Sequence, residues 1–504
     1  MNTKWRWSLA SGLVAAMAFG SSADAQIRRS DSGSVAPADS NRTVNCVIGD
    51  AACQQRARMR GVRFVITDSA GKPMTQPQIA AARRAAMRPG ARRPAPPPVK
   101  SGPDWAGAPE PGARFALLSI MQDSYAWSHG WACGLTEDGR TLCWGGHLEL
   151  GTPVPVPLLH VPRMKQLSVG GNTVSPLGQP FGCGLDAEGR AHCWGAKFGS
   201  IISTGLKKQG ASPEEIMEPL RMPERPRPIA GSHRFTQLTK SLANACGLTG
   251  AGEVYCWAMG ILAQKIAPGA DDEYGLLEPI RLQFPGKVSR VAVGNGYIGG
   301  LVDGRFYRWG PRGALAIKGP ALTMVSGGPV TACGLDQGGR AWCWGLDETG
   351  QLGRGVLSED LCDGHRCARE FVPVAGDLRF KSISAGTYHS CALTDAGEAY
   401  CWGYNGYGQL GPDGGSMQCV VGASHETEQI MKQIGTPESR AKWEALRKPC
   451  SPRPVAVQGG HRFGEIVAGT MQTCALDAEG KAYCWGLIGG KDEKSSSSPV
   501  PVGG

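Results

Sequence analysis

Charge is scarce in this chain of 504 residues, at 19 %, and long apolar runs are almost wholly missing. Low charge excludes a chain that is disordered throughout. After the first residues, no apolar run reaches the ~20 residues a membrane-spanning helix needs, so no transmembrane span is expected. No G-x-S-x-G, H-E-x-x-H, P-loop or dinucleotide fingerprint occurs. The hydrolases, zinc proteases, nucleotide enzymes and dehydrogenases that these motifs mark are therefore not signalled. No cofactor and no metal are expected.

What is present is turn chemistry. The 73 glycines and 36 prolines are too many for a helical protein and fit an all-β one. The 18 cysteines are even in number. The N-terminus has the form of a secretory leader. Lys4 and Arg6 precede a short apolar run at 9–20, and Ala23-Asp24-Ala25 gives a small-residue cleavage site with no cysteine after it. A signal peptide over 1–25 and a secreted or periplasmic, oxidising location are the expectation. The net charge of +10 is uneven: residues 26–104 carry 14 Lys/Arg against 5 Asp/Glu, whereas residues 105–504 balance.

An internal repeat organises the rest. Its clearest copy runs from 380 to 403 and recurs around Cys133–Gly145, Cys183–Gly195, Cys246–Ala258, Cys333–Gly345 and Cys474–Gly486, with a divergent copy over 299–310. Each copy has the form of a β-hairpin. A three-residue loop ending in Gly139, Gly189, Gly252, Gly339, Gly397 or Gly480 suits a G1-bulge turn. It places the two cysteines of each copy opposite one another. The divergent copy has Asp303-Gly304, a type I′ pair, which sets Gly299 opposite Arg308. Both of its cysteine positions have lost cysteine together. Six cross-strand disulfides follow as expectations: Cys133–Cys143, Cys183–Cys193, Cys246–Cys256, Cys333–Cys343, Cys391–Cys401 and Cys474–Cys484. Cys46 with Cys53, Cys362 with Cys367, and Cys419 with Cys450 are most simply local disulfides. His365 between Cys362 and Cys367 suggests a metal, but two thiols and one imidazole lack a fourth ligand.

The pattern A-G-x-x-H-x-C/L-A-L-x-x-x-G-x-x-Y-x-W-G, with Y-N-G-Y-G-Q-L-G at 404–411 and D-E-T-G-Q-L-G at 347–353, resembles the repeat of the regulator of chromosome condensation family. Seven copies imply a seven-bladed β-propeller over 105–504, with a short basic N-terminal extension over 26–104. The resemblance does not carry function. The family's eukaryotic namesake is a nuclear exchange factor for a small GTPase that binds nucleosomes, which the leader and the cysteines argue against here. Cysteines replace the family's small or aliphatic residues, and most copies lack the histidine seen at His389. A secreted bacterial member type is therefore expected.

The tryptophan of each copy (Trp144, Trp194, Trp257, Trp309, Trp344, Trp402, Trp485) suits packing between blades better than a sugar platform. His389 suits a structural hydrogen bond better than catalysis. Insertions at 201–225, 261–277, 346–370 and 404–452 all lie between a tryptophan-ended hairpin and a proline-flanked strand, so they share one face. The longest holds two helix-like stretches, 425–433 and 437–447. The tail offers a strand at 62–67, a helix at 79–87 and a Pro/Arg linker at 88–103, and its charge suits an anionic surface.

The expectation is an extracytoplasmic, non-catalytic scaffold. It would bind a protein or a cell-envelope polymer through the insertion face, without nucleic acid. The alternatives are an inhibitor of a secreted enzyme, or an envelope polysaccharide hydrolase or lyase with carboxylates at the propeller mouth.

Overall fold

Seven antiparallel sheets follow one another around a ring in this computed structural model. The structure describes residues 43–47, 63–67, 107–120, 122, 132–145, 152–171, 180–194, 226–241, 244–258, 279–310, 312–422, 424–434, 436–489 and 494–503. Residues Gly20–Gly102 form a unit of their own. Within it, Thr43–Val47 pairs in parallel with Arg63–Thr67. The second strand lies where one is expected; its partner is not foreseen in the sequence. The leader at 1–25, the helix at 79–87, the linker, the Cys46 side chain and Cys53 lie outside the described residues.

Each blade is a meander whose four strands pair in chain order, inner to outer. Blade 1 is Leu117–Ile120, Ala132–Leu135, Thr141–Gly145 and Thr152–Pro157. Blade 2 is Met164–Gly171, Pro180–Asp186, Ala191–Trp194 and Arg227–Pro228. Blade 3 is Phe235–Lys240, Asn244–Thr249, Val254–Ala258 and Ile280–Leu282. Blade 4 is Val288–Val293, Ile298–Val302, Arg305–Gly310 and Gly313–Ala316. Blade 5 is Leu322–Gly327, Thr331–Asp336, Ala341–Leu346 and His365–Pro373, with Leu361–Cys362 added outside. Blade 6 is Ser382–Ala385, His389–Leu393, Ala399–Tyr404 and Lys448–Ala456, with Met417–Cys419 added outside. Blade 7 is Phe463–Ala468, Gln472–Asp477, Ala482–Gly489 and Lys494–Pro501.

The hairpin loop that marks each repeat also joins the blades. Its glycine has φ between +73° and +81° in the six regular copies, a region costly for any residue with a Cβ. The carbonyl of the hairpin glycine, Gly304 in blade 4 included, accepts an amide at or just before the start of the next blade. Met164 bonds Gly139, Phe235 bonds Gly189, Leu322 bonds Gly304, Phe380 bonds Gly339, and Phe463 bonds Gly397, all at 2.8 Å. Val288 bonds Gly252 at 3.0 Å. Phe115 bonds Gly480 at 2.8 Å and so closes the ring from blade 7 to blade 1.

A second interblade rung lies nearer the axis. The Gln166 amide accepts from the Leu238 amide at 2.9 Å and donates to its carbonyl at 3.3 Å; Gln237 does the same to Val291. Ser119, Ser326 and Ser384 accept from Val169, Ala385 and Ala468 one blade on. At the closure the acceptor is Glu465, whose Oε2 takes the Leu118 amide at 3.1 Å.

Between the sheets, each cysteine pair faces the next blade's tryptophan. Cys133 and Cys143 pack against Trp194, Cys183 and Cys193 against Trp257, and Cys391 and Cys401 against Trp485. The two cysteines of each hairpin are disulfide-bonded across the strands, with Cα atoms 4.0–4.1 Å apart. Six of the seven tryptophans are buried. Trp309 is only partly buried. Blade 4 lacks the disulfide and fills its place differently. Phe306 occupies the space a Cβ on Gly299 would take, and Tyr297 meets Trp344 edge-on at 5.2 Å. The Tyr297 hydroxyl donates to the carbonyls of Thr331 and Gly328 in blade 5.

Two expectations follow. Trp402→Ala should cost about 3–5 kcal/mol in denaturant unfolding, and Trp309→Ala about half that or less, because less surface is withdrawn from water. The second concerns the closure. Burial pushes the Glu465 carboxyl from 4.5 up to about 7. A raised folded value means that stability present below the unfolded value is lost as pH rises through 7. Glu465→Gln reproduces the arrangement of Gln166 and should add on the order of 2–3 kcal/mol at pH 9 and little at pH 5. Equal melting shifts at both pH values would contradict it.

Candidate binding face on blades 5 and 6

The insertions at 346–370 and 404–452 rise from the same edge of neighbouring blades and dock on each other. Those at 201–225 and 261–277 lie outside the described residues. Each of the two described insertions begins with a polar residue that folds the loop back. Asp347 accepts the Leu352 amide and both the amide and hydroxyl of Ser358. Burial pushes its carboxyl up to about 6. Asn405 accepts the Leu410 amide and donates to the Gly411 carbonyl. The loops so shaped present the Gln351 and Gln409 carbonyls to the next blade's indoles. Trp402 donates at 3.0 Å and Trp485 at 2.9 Å. The T-G-Q-L-G and Y-G-Q-L-G stretches are therefore tethers as well as turns.

The blade 5 insertion ends in a tight hairpin. Asp363 and Gly364 have φ of +52° and +83°, as a type I′ turn requires. Cys362 and Cys367 are joined beneath it, with Cα atoms 5.8 Å apart. Their sulfurs face each other, so His365 is not part of a thiolate site. Its Nδ1 is 2.5 Å from Glu348 Oε1, and both side chains are nearly buried. The hydrogen bond to Glu348 raises the His365 value, and desolvation raises that of Glu348.

On this hairpin sits the first helix of the blade 6 insertion, α1 (His425–Ile434). Ser424 caps it by accepting the Thr427 amide at 3.1 Å. The first helical amide, His425, donates to the Gly364 carbonyl at 2.9 Å. A helix start leaves such donors unsatisfied, so the Gly364 carbonyl is a specific seat. Arg366 and Glu428 face each other at 3.9 Å. The second helix, α2 (Pro437–Leu446), has a Thr436 cap and proline in its first turn, and no buried residue. Cys419 and Cys450 close the insertion at its base, with Cα atoms 5.9 Å apart. Toward the axis, Tyr388, Tyr404, Tyr407, Val421, Met471 and Leu487 form one cluster.

The ionisable groups brought together here serve the fold. His389 is fully buried, its Nε2 is 2.9 Å from the Thr473 hydroxyl, and desolvation lowers its value to about 3. At the channel, Gln122 donates to the Ala385 and Ala468 carbonyls, and the Thr387 and Thr470 hydroxyls meet at 3.4 Å. These groups are neutral. Among the described residues, no three His, Cys, Asp or Glu side chains gather as a metal site, and no helix is long and apolar enough to cross a membrane.

Residues 338–393 and 380–409 match the regulator of chromosome condensation (RCC1) repeat. Protein pim1 of Schizosaccharomyces pombe is 24 % identical over 288 residues, 52 % of this chain and 49 % of that protein. The mitochondrial RCC1 domain-containing protein RUG3 of Arabidopsis thaliana is 26 % identical over 216 residues, 36 % of this chain and 45 % of that one. The chain spans about half the length of the curated relatives it matches. The crystal structure of Prp20p of Saccharomyces cerevisiae superposes with a TM-score of 0.52 at 19 % identity, covering 76 % of this chain and 90 % of that one.

These relatives correct the expected compartment. They are eukaryotic proteins, one named as mitochondrial, and the Prp20p structure was reported with its binding to Gsp1p and histones. The secreted bacterial type, the signal peptide, the secreted or periplasmic location and the extracytoplasmic scaffold are overturned. The envelope polymer, the secreted enzyme target and the envelope hydrolase or lyase fall with them. The physical reason is that the expectation rested on a short apolar N-terminus, which lies outside the repeats, and on cysteine number. Each half of a hairpin disulfide is also a fully buried core residue, so its presence reports packing as much as redox environment.

The blade 5 hairpin on which α1 sits should depend on pH. His365 and Glu348 both have raised values, so the stability they add is present in acid and lost as pH rises. Hydrogen exchange of the α1 amides, corrected for intrinsic rate, should quicken between pH 6 and pH 9. His365→Gln should flatten that dependence.

Proposed function

We propose that the protein is a non-catalytic scaffold that binds a protein partner through the paired insertions of blades 5 and 6. One observation carries this reading. Among the described residues, six large apolar side chains are exposed, and four of them, Val356, Leu361, Ile430 and Leu446, stand on these two insertions. Exposed apolar groups gathered on one ordered surface mark an interaction site, whereas single ones carry no meaning. The surface around them is held in advance by the hairpin, the α1 seat and the loop tethers, so little ordering opposes binding. Half-buried Tyr388 and Tyr407 supply aromatic anchors of the kind that concentrate binding energy. A propeller of this fold serves protein binding in Prp20p, with Gsp1p and histones.

The test is a photo-crosslinkable residue at position 430, followed by identification of the attached protein. A variant with Val356→Ser, Leu361→Ser, Ile430→Ser and Leu446→Ser should keep its melting temperature, since these side chains are exposed, and lose at least tenfold in affinity for that protein. An unchanged affinity would remove the insertion face from the function.

A further inference from the structure

Eight disulfides join described residues, and they are of two kinds. The six hairpin bridges cross the second and third strands of a blade and face the next one, with every cysteine 0–2 % exposed. A reductant reaches such a sulfur when blades part, which is unfolding of the ring. Cys362–Cys367 and Cys419–Cys450 lie instead in the two insertions, and Cys362 and Cys419 are each 5 % exposed.

The blade 5 bridge has the least structure around it. Cys367 belongs to the fourth strand, where it pairs with Leu346. Cys362 belongs to the added strand Leu361–Cys362, which pairs at two positions, Leu361 with Arg366 and Cys362 with His365. The neighbours of Cys362, Leu361 and Asp363, are exposed. The bridge packs with Val330 and Leu346 in a cluster of four, separate from the clusters between blades. Three further bonds hold this outer limb. The Cys367 amide donates to the Asp360 carbonyl, and Arg366 and Arg369 donate to the carbonyls of Ser358 and Leu361. A two-stranded hairpin is marginal in water, so this limb can open while the ring stays closed. The corresponding strand of blade 6, Met417–Cys419, pairs at three positions.

The seat of α1 hangs on the same limb. The turn Asp363-Gly364 joins the limb to the blade, and the Gly364 carbonyl takes the His425 amide at 2.9 Å. A helix of ten residues does not hold itself in water, so α1 depends on what it docks against. Exposed Ile430 stands on α1 and exposed Leu361 on the limb. One bridge therefore underlies both sides of this surface.

We propose that Cys362–Cys367 is a redox-sensitive latch: a dithiol reductant opens it while the ring stays folded, and α1 then loses its seat. The reaction is thiol–disulfide exchange. A thiolate of the reductant attacks the Cys362 sulfur, the sulfur–sulfur bond breaks, and Cys367 leaves as a thiolate that takes up a proton. The second thiol of the reductant attacks the mixed disulfide, releases Cys362 and closes the reductant's own disulfide. Two electrons pass from the dithiol to the protein. The consequence rests on the insertion-face reading and deepens it: the oxidised protein presents the face, and the reduced protein does not.

The experiment treats the full chain with rising dithiothreitol at constant pH, alkylates the free thiols and maps them by mass spectrometry. Cys362 and Cys367 should react at a reductant level at least tenfold below that needed for any of the six hairpin pairs. At that level hydrogen exchange of the α1 amides should quicken at least tenfold, with the melting temperature of the ring unchanged. The double variant Cys362→Ser, Cys367→Ser, with Cys419–Cys450 intact, should show the fast exchange without reductant. Reoxidation of the natural chain should restore slow exchange, which keeps the test decisive where the variant folds poorly. Hairpin pairs that open first or together with this bridge, or α1 exchange that stays slow once it is open, would overturn the proposal. The readout is exchange and not partner capture, so failure of the latch and failure of the insertion face are separable.

Discussion

The ring depends on one contact repeated seven times: the carbonyl at a hairpin tip receiving the first amide of the next blade. Its geometry explains why glycine recurs there. The turn needs a left-handed residue, and the next strand passes so close that a Cβ on Gly139, Gly189 or Gly480 would come within 2.7 Å of a carbonyl oxygen. A substitution at the tip would thus strain the turn and displace the neighbouring blade together. Because all seven blades use the same contact, each step around the axis is alike, and the last step meets the first. The ring closes by hydrogen bonds and packing between blade 7 and blade 1.

Inside that frame, the space between blades is filled by one recurrent pair, a hairpin disulfide against a tryptophan. Blade 4 shows what the pair does by doing without it. There the disulfide gives way to Phe306 and Tyr297, and the axial rung of serine, glutamine or glutamate has no counterpart at the blade 4 to blade 5 boundary among the described bonds. Tyr297 restores a polar link by bonding two carbonyls of blade 5. Two bulky aromatic residues thus replace a covalent link and a rung together. Blade 4 is the irregular blade in turn and core alike.

Much of this was legible in the sequence because it is local. A three-residue loop with glycine at its end fixes the register of a hairpin, and a two-residue loop puts Gly299 opposite Arg308, where it is found. The two helices of the longest insertion were visible within a residue at their ends, since Ser424 and Thr436 cap them. What was not legible depends on residues distant in sequence. Nothing local says that the Gly480 carbonyl awaits Phe115, or that the His425 amide will find Gly364. Gln166, Gln237, Ser326 and Glu465 look like ordinary strand residues until neighbouring blades are placed beside them. The compartment was misjudged for the opposite reason. Local features were given a global meaning, although a buried disulfide serves equally as a core side chain.

The two helices of the blade 6 insertion show why this surface suits binding rather than stability. Ten residues are too few to hold a helix in water by propensity alone. α1 meets the need through its seat on Gly364 and its packing on blade 5. α2 buries nothing and relies on its cap, on proline in its first turn and on the Glu438–Lys442 pair, each worth a fraction of a kcal/mol to about 1 kcal/mol. Its position is kept by its connection to α1 and by the closure at its base. A helix held in place yet with no buried residue adds almost nothing to the core of the propeller. Leu446, near its end, stands exposed.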